Sequence, residues 1–174
     1  MRKAIVVVDM QNDFIDGVLG TREAQEMLPR LVAKLEKEQA AGTELVFTMD
    51  THDADYLTTQ EGKKLPVEHC IRGTVGWQIT DALQSFVCMA TAVIEKPAFG
   101  ATTLPAALAD YNAIELVGLC TDICVISNAL LLKAFYPETS ISVDASCCAG
   151  VTPESHANAL AAMRMCQVEV RGAW

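Results

Sequence analysis

The chain has 174 residues, enough for one domain with a substantial buried core. Hydrophobic residues make up 51% and charged residues 20%, a globular composition that excludes a disordered chain. The formal net charge is -9 and the lysines and arginines are scattered, which excludes nucleic acid as a natural partner.

The first predicted strand is AIVVVD (4–9), an apolar run without clean polar alternation, as expected of a strand buried on both faces. A helix is predicted over 23–41, with Ala24, Met27, Leu28, Leu31, Val32 and Leu35 on one face and Gly42 as its stop. The second strand is ELVFTMD (44–50). Residues 51–77 are polar with little periodicity, and a loop of that length in a compact domain is usually functional. TAVIEK (91–96) is the third strand, and a helix follows over 103–110. AIELVGL (113–119), unalternating like the first, is the fourth, leading into a helix over about 122–135. SISVDA (140–145) is the fifth. The last helix has Thr152 as N-cap, Pro153 at its first position and Glu154 in its first turn, and runs to about Met165. QVEVRG (167–172) closes the chain as a sixth strand.

Strands alternating with helices predict an α/β fold, a parallel sheet covered on both faces, as a single domain over 1–174. No apolar run reaches about 18 residues, so no membrane span is expected. The N-terminal MRKAIVVVDMQND is too short in its apolar part for a signal peptide, and Asp9 interrupts it, so a cytoplasmic protein is expected. The seven cysteines are odd in number and lack C-x-x-C spacing, which argues against disulfides and structural zinc. Cys70, Cys88, Cys147, Cys148 and Cys166 read as small core or near-surface residues.

Ligands of open parallel sheets bind at the carboxyl ends of the strands. Asp9, Asp50 and Lys96 end the first three predicted strands, and the fourth leads through VGLCTDICV (117–125) to Cys124. A helix beginning near Asp122 would put Cys124 in its first turn, where unpaired N–H groups and a nearby lysine lower a thiol pKa. Asp9 could take the thiol proton, making Asp9, Lys96 and Cys124 a nucleophilic triad, with the backbone N–H groups of Cys120 and Cys124 for an oxyanion. Taken singly, Cys124 reads equally as a core residue, Asp9 as a turn carboxylate and Lys96 as a solvated strand end.

A second group is Asp50, His52, Glu61 and His69, in and beside the one long polar loop, with two of the chain's three histidines. Two imidazoles and two carboxylates suit one divalent ion, Zn2+ first and Mn2+ or Fe2+ next, with water in open positions. Surface histidines are the alternative. His156, in the last helix, reads as structural.

DMQNDF (9–14), DTH (50–52), PVEHCIRGTVGW (66–77), EKPAFG (95–100) and GLCTDICV (118–125) occur in an order that spans nearly the whole chain. Together they resemble the isochorismatase-like cysteine hydrolases, and within them the nicotinamidase branch. The resemblance implies a three-layer α/β/α fold with a six-stranded, mostly parallel sheet. It implies Asp9, Lys96 and Cys124 as the triad and Asp50, His52 and His69 as metal ligands. Glu61 fits the place where many of these enzymes carry a third histidine. The resemblance also implies a cis Leu119–Cys120 peptide that turns the Cys120 N–H toward the oxyanion, and a homo-oligomer. True isochorismatases lack the nucleophilic cysteine, so Cys124 points to acyl transfer from a small amide, nicotinamide first among them. Phe14 and Phe99 would line the ring pocket. Leu65 or Pro66 stands where many relatives carry an aromatic residue, which bears on the substrate more than on the chemistry. Other small amides or ureido compounds, a metal-dependent hydrolase with a structural Cys124, and a non-catalytic binding member of the same fold are the rival readings.

Overall fold

Ala4, Val6 and Val8 of the first strand, β1 (Lys3–Val8), point into one apolar cluster, while Ile5 and Val7 point into another. Side chains alternate across a strand, so a run that is apolar at every position demands cover on both faces. The computed structural model, which describes residues 2–173, supplies that cover. The other strands are β2 (Glu44–Asp50), β3 (Ala92–Lys96), β4 (Ala113–Leu119), β5 (Ser140–Ala149) and β6 (Glu169–Arg171). They form one six-stranded sheet in the order β3-β2-β1-β4-β5-β6, and every neighbouring pair is parallel. The expected sheet, mostly parallel, is thus parallel throughout.

Helices α1 (Asn12–Ile15), α2 (Arg22–Ala40) and α4 (Gln84–Val87) cover one face, with α3 (Gln60–Lys64) lying in the segment after β2. On the other face lie α5 (Leu104–Ala107), α6 (Ile126–Phe135) and α7 (Pro153–Met165). Helix α2 buries Ala24, Met27, Leu31 and Leu35, and Leu28 and Val32 pack at its margin. Thr21 caps it by accepting from the Ala24 N–H, and Gly42 leaves it at φ 81. Helix α7 starts as expected, and Thr152 forms a capping box with Ser155. No helix among the described residues is long and apolar enough to cross a membrane.

Three elements differ from expectation. Helix α5 is one turn long, ending at Ala107 with Leu108 as its C-cap, so the expected stretch to residue 110 is turn instead. Strand β5 continues to Ala149, since Cys147, Cys148 and Ala149 are all buried, and a register shift against β4 between Leu116 and Gly118 accommodates the extra length. Segment 51–77 is not a bare loop: it holds a 3-10 turn at Tyr56–Thr58 and helix α3.

Strand order reverses between β1 and β4, and such a switch point opens a crevice at the strands' carboxyl ends. Gly118 lets the two strands meet there. Its φ is 110, and a Cβ at that position would lie 2.2 Å from the Val8 carbonyl oxygen.

Candidate active site

Asp9 lies just past β1 at φ 48, a left-handed conformation that costs an L-residue roughly 1–2 kcal/mol. It therefore follows the strand and turns its carboxylate inward. Thr48 of β2 donates to Asp9 Oδ1 at 2.6 Å. Lys96, the last residue of β3, is 1% exposed. Its ammonium lies 2.7 Å from Asp9 Oδ2, 3.3 Å from Cys124 Sγ, 3.2 Å from Asp50 Oδ1 and 3.1 Å from the Ala98 carbonyl oxygen. A buried lysine needs this degree of partnering. The structure thus brings Asp9, Lys96 and Cys124 together, and Lys96 is no solvated strand end.

Cys124 sits in a π-helical turn, Thr121–Val125, that precedes α6, and the Val125 N–H donates across it to the Cys120 carbonyl at 3.0 Å. The Leu119–Cys120 peptide is cis, as the resemblance implied. Burial pushes the Cys124 thiol well above 9.0, the charge of Asp9 adds to the rise, and Lys96 only partly opposes it. The expected lowering by a helix start and a lysine is therefore overridden by desolvation. Burial also raises Asp9, against the pull of Lys96. Burial would lower Lys96, but the charges of Asp9, Cys124 and Asp50 outweigh it and keep the ammonium charged.

Asp50 is the last residue of β2 and pairs in register with Lys96. Its Oδ2 lies 3.1 Å from His52 Nε2 and 3.6 Å from His69 Nε2, while Glu61 Oε1 lies 3.6 and 3.7 Å from the same two nitrogens. One donor atom from each of the four residues falls within 4.8 Å of all the others. Local structure explains the convergence. His52 and the loop around His69 are stitched by a bridge, with the His52 N–H donating to the Cys70 carbonyl at 3.0 Å. Glu61 rides on α3, which presses onto Tyr56 because residue 62 is glycine: a Cβ there would lie 2.1 Å from the Tyr56 carbonyl oxygen. The Tyr56 ring in turn packs against both imidazoles, at centroid distances of 4.7 and 5.0 Å.

The donor set fits a divalent cation. Metal bonds of about 2.0–2.2 Å in a tetrahedron put ligand atoms about 3.3–3.6 Å apart, close to the observed spacing. His69 Nδ1 lies 2.8 Å from the Val67 carbonyl, which fixes the proton there and aims the Nε2 lone pair into the group. Burial and the charge of Asp50 raise the Glu61 carboxyl, a cost that a cation would relieve.

Both groups open onto one cavity of about 520 Å³. Cys120, Cys124, Asp50, Glu61 and His69 reach it, and Phe14, Leu65 and Phe99, expected from the sequence as pocket residues, all line it. Phe14 also lies against His69, with ring centroids 5.5 Å apart.

Two supporting residues, Gln11 and Asn128, carry no mark of their role in the sequence reading. Gln11, fully buried, accepts from the Asp50 N–H at 2.7 Å and donates to the Asp50 and Trp77 carbonyls at 2.8 and 2.7 Å. Asn128 donates to the Cys124 carbonyl at 2.8 Å and accepts from the Ala101 N–H at 2.8 Å. A lone amide in the apolar run ISNALLLKAF is a legible signal for such a role. Thr121 lies 2.8 Å from His156 Nδ1, so His156 braces the turn that carries Cys124, as its structural reading expects, and is not one of the four clustered donors Asp50, His52, Glu61 and His69. All seven cysteines are free; Cys70, Cys147 and Cys148 are buried, and Cys88 and Cys166 exposed.

The family profile described as Isochorismatase domain matches residues 3–173. The chain belongs to the isochorismatase family. A Bacillus subtilis relative described as an uncharacterized isochorismatase family protein, PncA, is 31% identical over 92% of this chain and 93% of its own. An Arabidopsis thaliana relative, described as a probable inactive nicotinamidase, is 26% identical over 88% of this chain and 83% of its own. The solved pyrazinamidase/nicotinamidase of Streptococcus mutans superposes with a TM-score of 0.85 at 26% identity, covering 97% of this chain and 99% of that one.

Proposed function

We propose that this protein is an amidohydrolase that cleaves a small carboxamide through a thioester on Cys124, with nicotinamide, released as nicotinic acid and ammonia, the first candidate substrate. One observation carries the reading. A charged, buried ammonium, Lys96, lies 2.7 Å from a carboxylate and 3.3 Å from a thiol in the wall of one cavity.

Burial raises both Asp9 and Cys124, which favours Asp9 as a proton acceptor and disfavours the free thiolate, and the Lys96 ammonium 3.3 Å from Cys124 Sγ offsets part of the cost of charging the sulfur. Asp9 takes the thiol proton, and Lys96 holds the resulting thiolate. Sulfur attacks the amide carbon, and the N–H groups of Cys120 and Cys124 receive the oxyanion. Asp9 returns the proton to the nitrogen as the C–N bond breaks and ammonia leaves. Asp9 then takes a proton from water, which attacks the thioester. The acid departs and the thiol is restored. Asp50, His52, Glu61 and His69 would hold a divalent cation, Zn2+ in the first place, which when bound supplies an electropositive anchor for a ring nitrogen, directly or through water.

The test is ammonia release from nicotinamide by purified protein, with and without chelator, beside Cys124→Ala. Release that disappears in the variant supports the thioester route. Substantial turnover by Cys124→Ala would instead favour water attack at the metal group and sink the nucleophile assignment. Absence of ammonia release from nicotinamide would remove nicotinamide as the substrate and move the search to other carboxamides and ureido compounds.

A further inference from the structure

The cavity is larger than nicotinamide needs. A single ring with its carboxamide displaces roughly the volume of four or five liquid waters, at about 30 Å³ each. A cation with a few waters takes about another 100 Å³. About half of the 520 Å³ then remains.

What remains is mostly apolar and lies toward solvent. The deep end holds Cys124, His69 and Phe14, at 4%, 3% and 8% exposure. The outer wall carries Leu65, Phe99 and Val151, at 38%, 45% and 51% exposure, with the exposed Gln60 and Lys64 beside Leu65 on one side only. Large apolar side chains gathered at the mouth of a pocket mark a surface that a ligand covers.

This rim is held from behind. The Tyr56 hydroxyl donates to the Leu65 carbonyl at 2.9 Å. The Asn128 amide donates to the Phe99 carbonyl at 3.2 Å. The Val151 N–H donates to Asp122, at 3.2 Å to each oxygen. Three separate segments are each pinned by a polar side chain that leaves the apolar side chain on the cavity. A wall so fixed loses little freedom when it binds.

Building on the amide-hydrolase reading, we propose that the preferred substrate is an aromatic carboxamide carrying an apolar substituent that reaches the mouth, where Leu65, Phe99 and Val151 select it. The carboxamide lies against Cys124 and the ring against Phe14. The substituent fills the outer half.

The test compares nicotinamide with nicotinamides bearing a butyl or phenyl group at each ring carbon in turn, on protein supplied with zinc. At one or more ring positions, kcat/KM is expected to exceed that of nicotinamide about tenfold or more. Calorimetry with Cys124→Ala reads the same preference as a ratio of Kd values, without turnover. Val151→Ser narrows both ratios. Substituted amides that bind Cys124→Ala no better than nicotinamide, or no binding by any of them, would overturn the proposal. A clear binding preference without ammonia release by the unmodified protein would sink the hydrolase reading and leave the apolar-ligand site standing.

Discussion

Lys96 Nζ lies 3.2 Å from Asp50 Oδ1, and the other oxygen of the same carboxylate lies 3.1 Å from His52 Nε2. Asp50 therefore faces both centres, the thiol group and the imidazole group. Hydrogen bonds to His52 and His69 and the charge of Lys96 overcome its burial and keep it ionised well below the usual carboxylate range.

Asp50→Asn is thus expected to disturb two things at once. Bound zinc falls, and the alkylation rate of Cys124 changes because Lys96 loses one of its anionic neighbours. Glu61→Gln lowers bound zinc and leaves Cys124 alkylation closer to that of the unmodified protein. Metal content and peptide-resolved iodoacetamide labelling check both. Equal effects of the two substitutions on labelling would show that Asp50 does not couple the centres.

The pH profile follows from the direction of two shifts. The reactive pair of Asp9 and Cys124 carries one proton. Asp9 is raised above 3.8, so as pH falls it is protonated, and kcat/KM declines, earlier than for an ordinary carboxylate. Cys124 is raised well above 9.0, so the pair keeps its proton, and activity persists, past the ordinary thiol range. With zinc saturating, kcat/KM has its acid limb above 3.8 and its alkaline limb above 9.0. Lys96 pulls Asp9 down, so Lys96→Met shifts the acid limb of any residual activity to higher pH. An acid limb that stays put would contradict the pairing.

Asp9→Asn removes the proton acceptor while keeping the shape. Loss of a positioned general base lowers rates by about 10²–10⁴-fold, and kcat for nicotinamide should fall within or below that range. A loss under tenfold would mean that another group takes the thiol proton.

Asn128→Leu tests the brace under the nucleophile. It removes the side-chain partner of the Cys124 carbonyl, the Ala101 N–H and the Phe99 carbonyl. Leaving buried polar groups unsatisfied costs about 1–3 kcal/mol each, so urea unfolding should show a loss of at least about 2 kcal/mol. Asn128→Asp, which keeps the acceptor for Ala101 and loses the donor to Cys124, should be intermediate in stability. Its kcat should fall more than its KM rises if the brace sets the turn of Cys124.

Much of the architecture is legible because burial on both faces leaves a mark in the residues themselves. AIVVV and AIELVGL have no polar alternation, and both strands lie in the middle of the sheet. Asp9, Asp50 and Lys96 are legible for the same reason, since each interrupts or ends an apolar run at the rim where parallel strands stop. What is not legible is contact across the chain. Nothing near EKPAFG says that Lys96 will be buried; apart from the Ala98 carbonyl, its partners come from residues 9, 50 and 124. The upward shift of the Cys124 thiol is not legible either, because a helix start and a lysine are visible in sequence and desolvation is not. Gln11 is hidden for another reason. It grips backbone atoms of Asp50 and Trp77, and backbone partners carry no side-chain signature.

The two groups are written differently along the chain. Asp9, Lys96 and Cys124 come from three distant segments, whereas Asp50 ends β2 and His52, Glu61 and His69 fall within the one excursion that follows it. That excursion is tied to itself through Tyr56, Gly62 and the bridge between His52 and Ile71. A single contiguous exchange of gene sequence can therefore replace the imidazole group and its proposed role as anchor wholesale, with the surroundings of Cys124 inherited intact except at Asp50. Diversification of such a fold has a cheap route in one direction. New specificities can arrive as cassettes, while changes to the thiol chemistry require three coordinated alterations far apart in the gene.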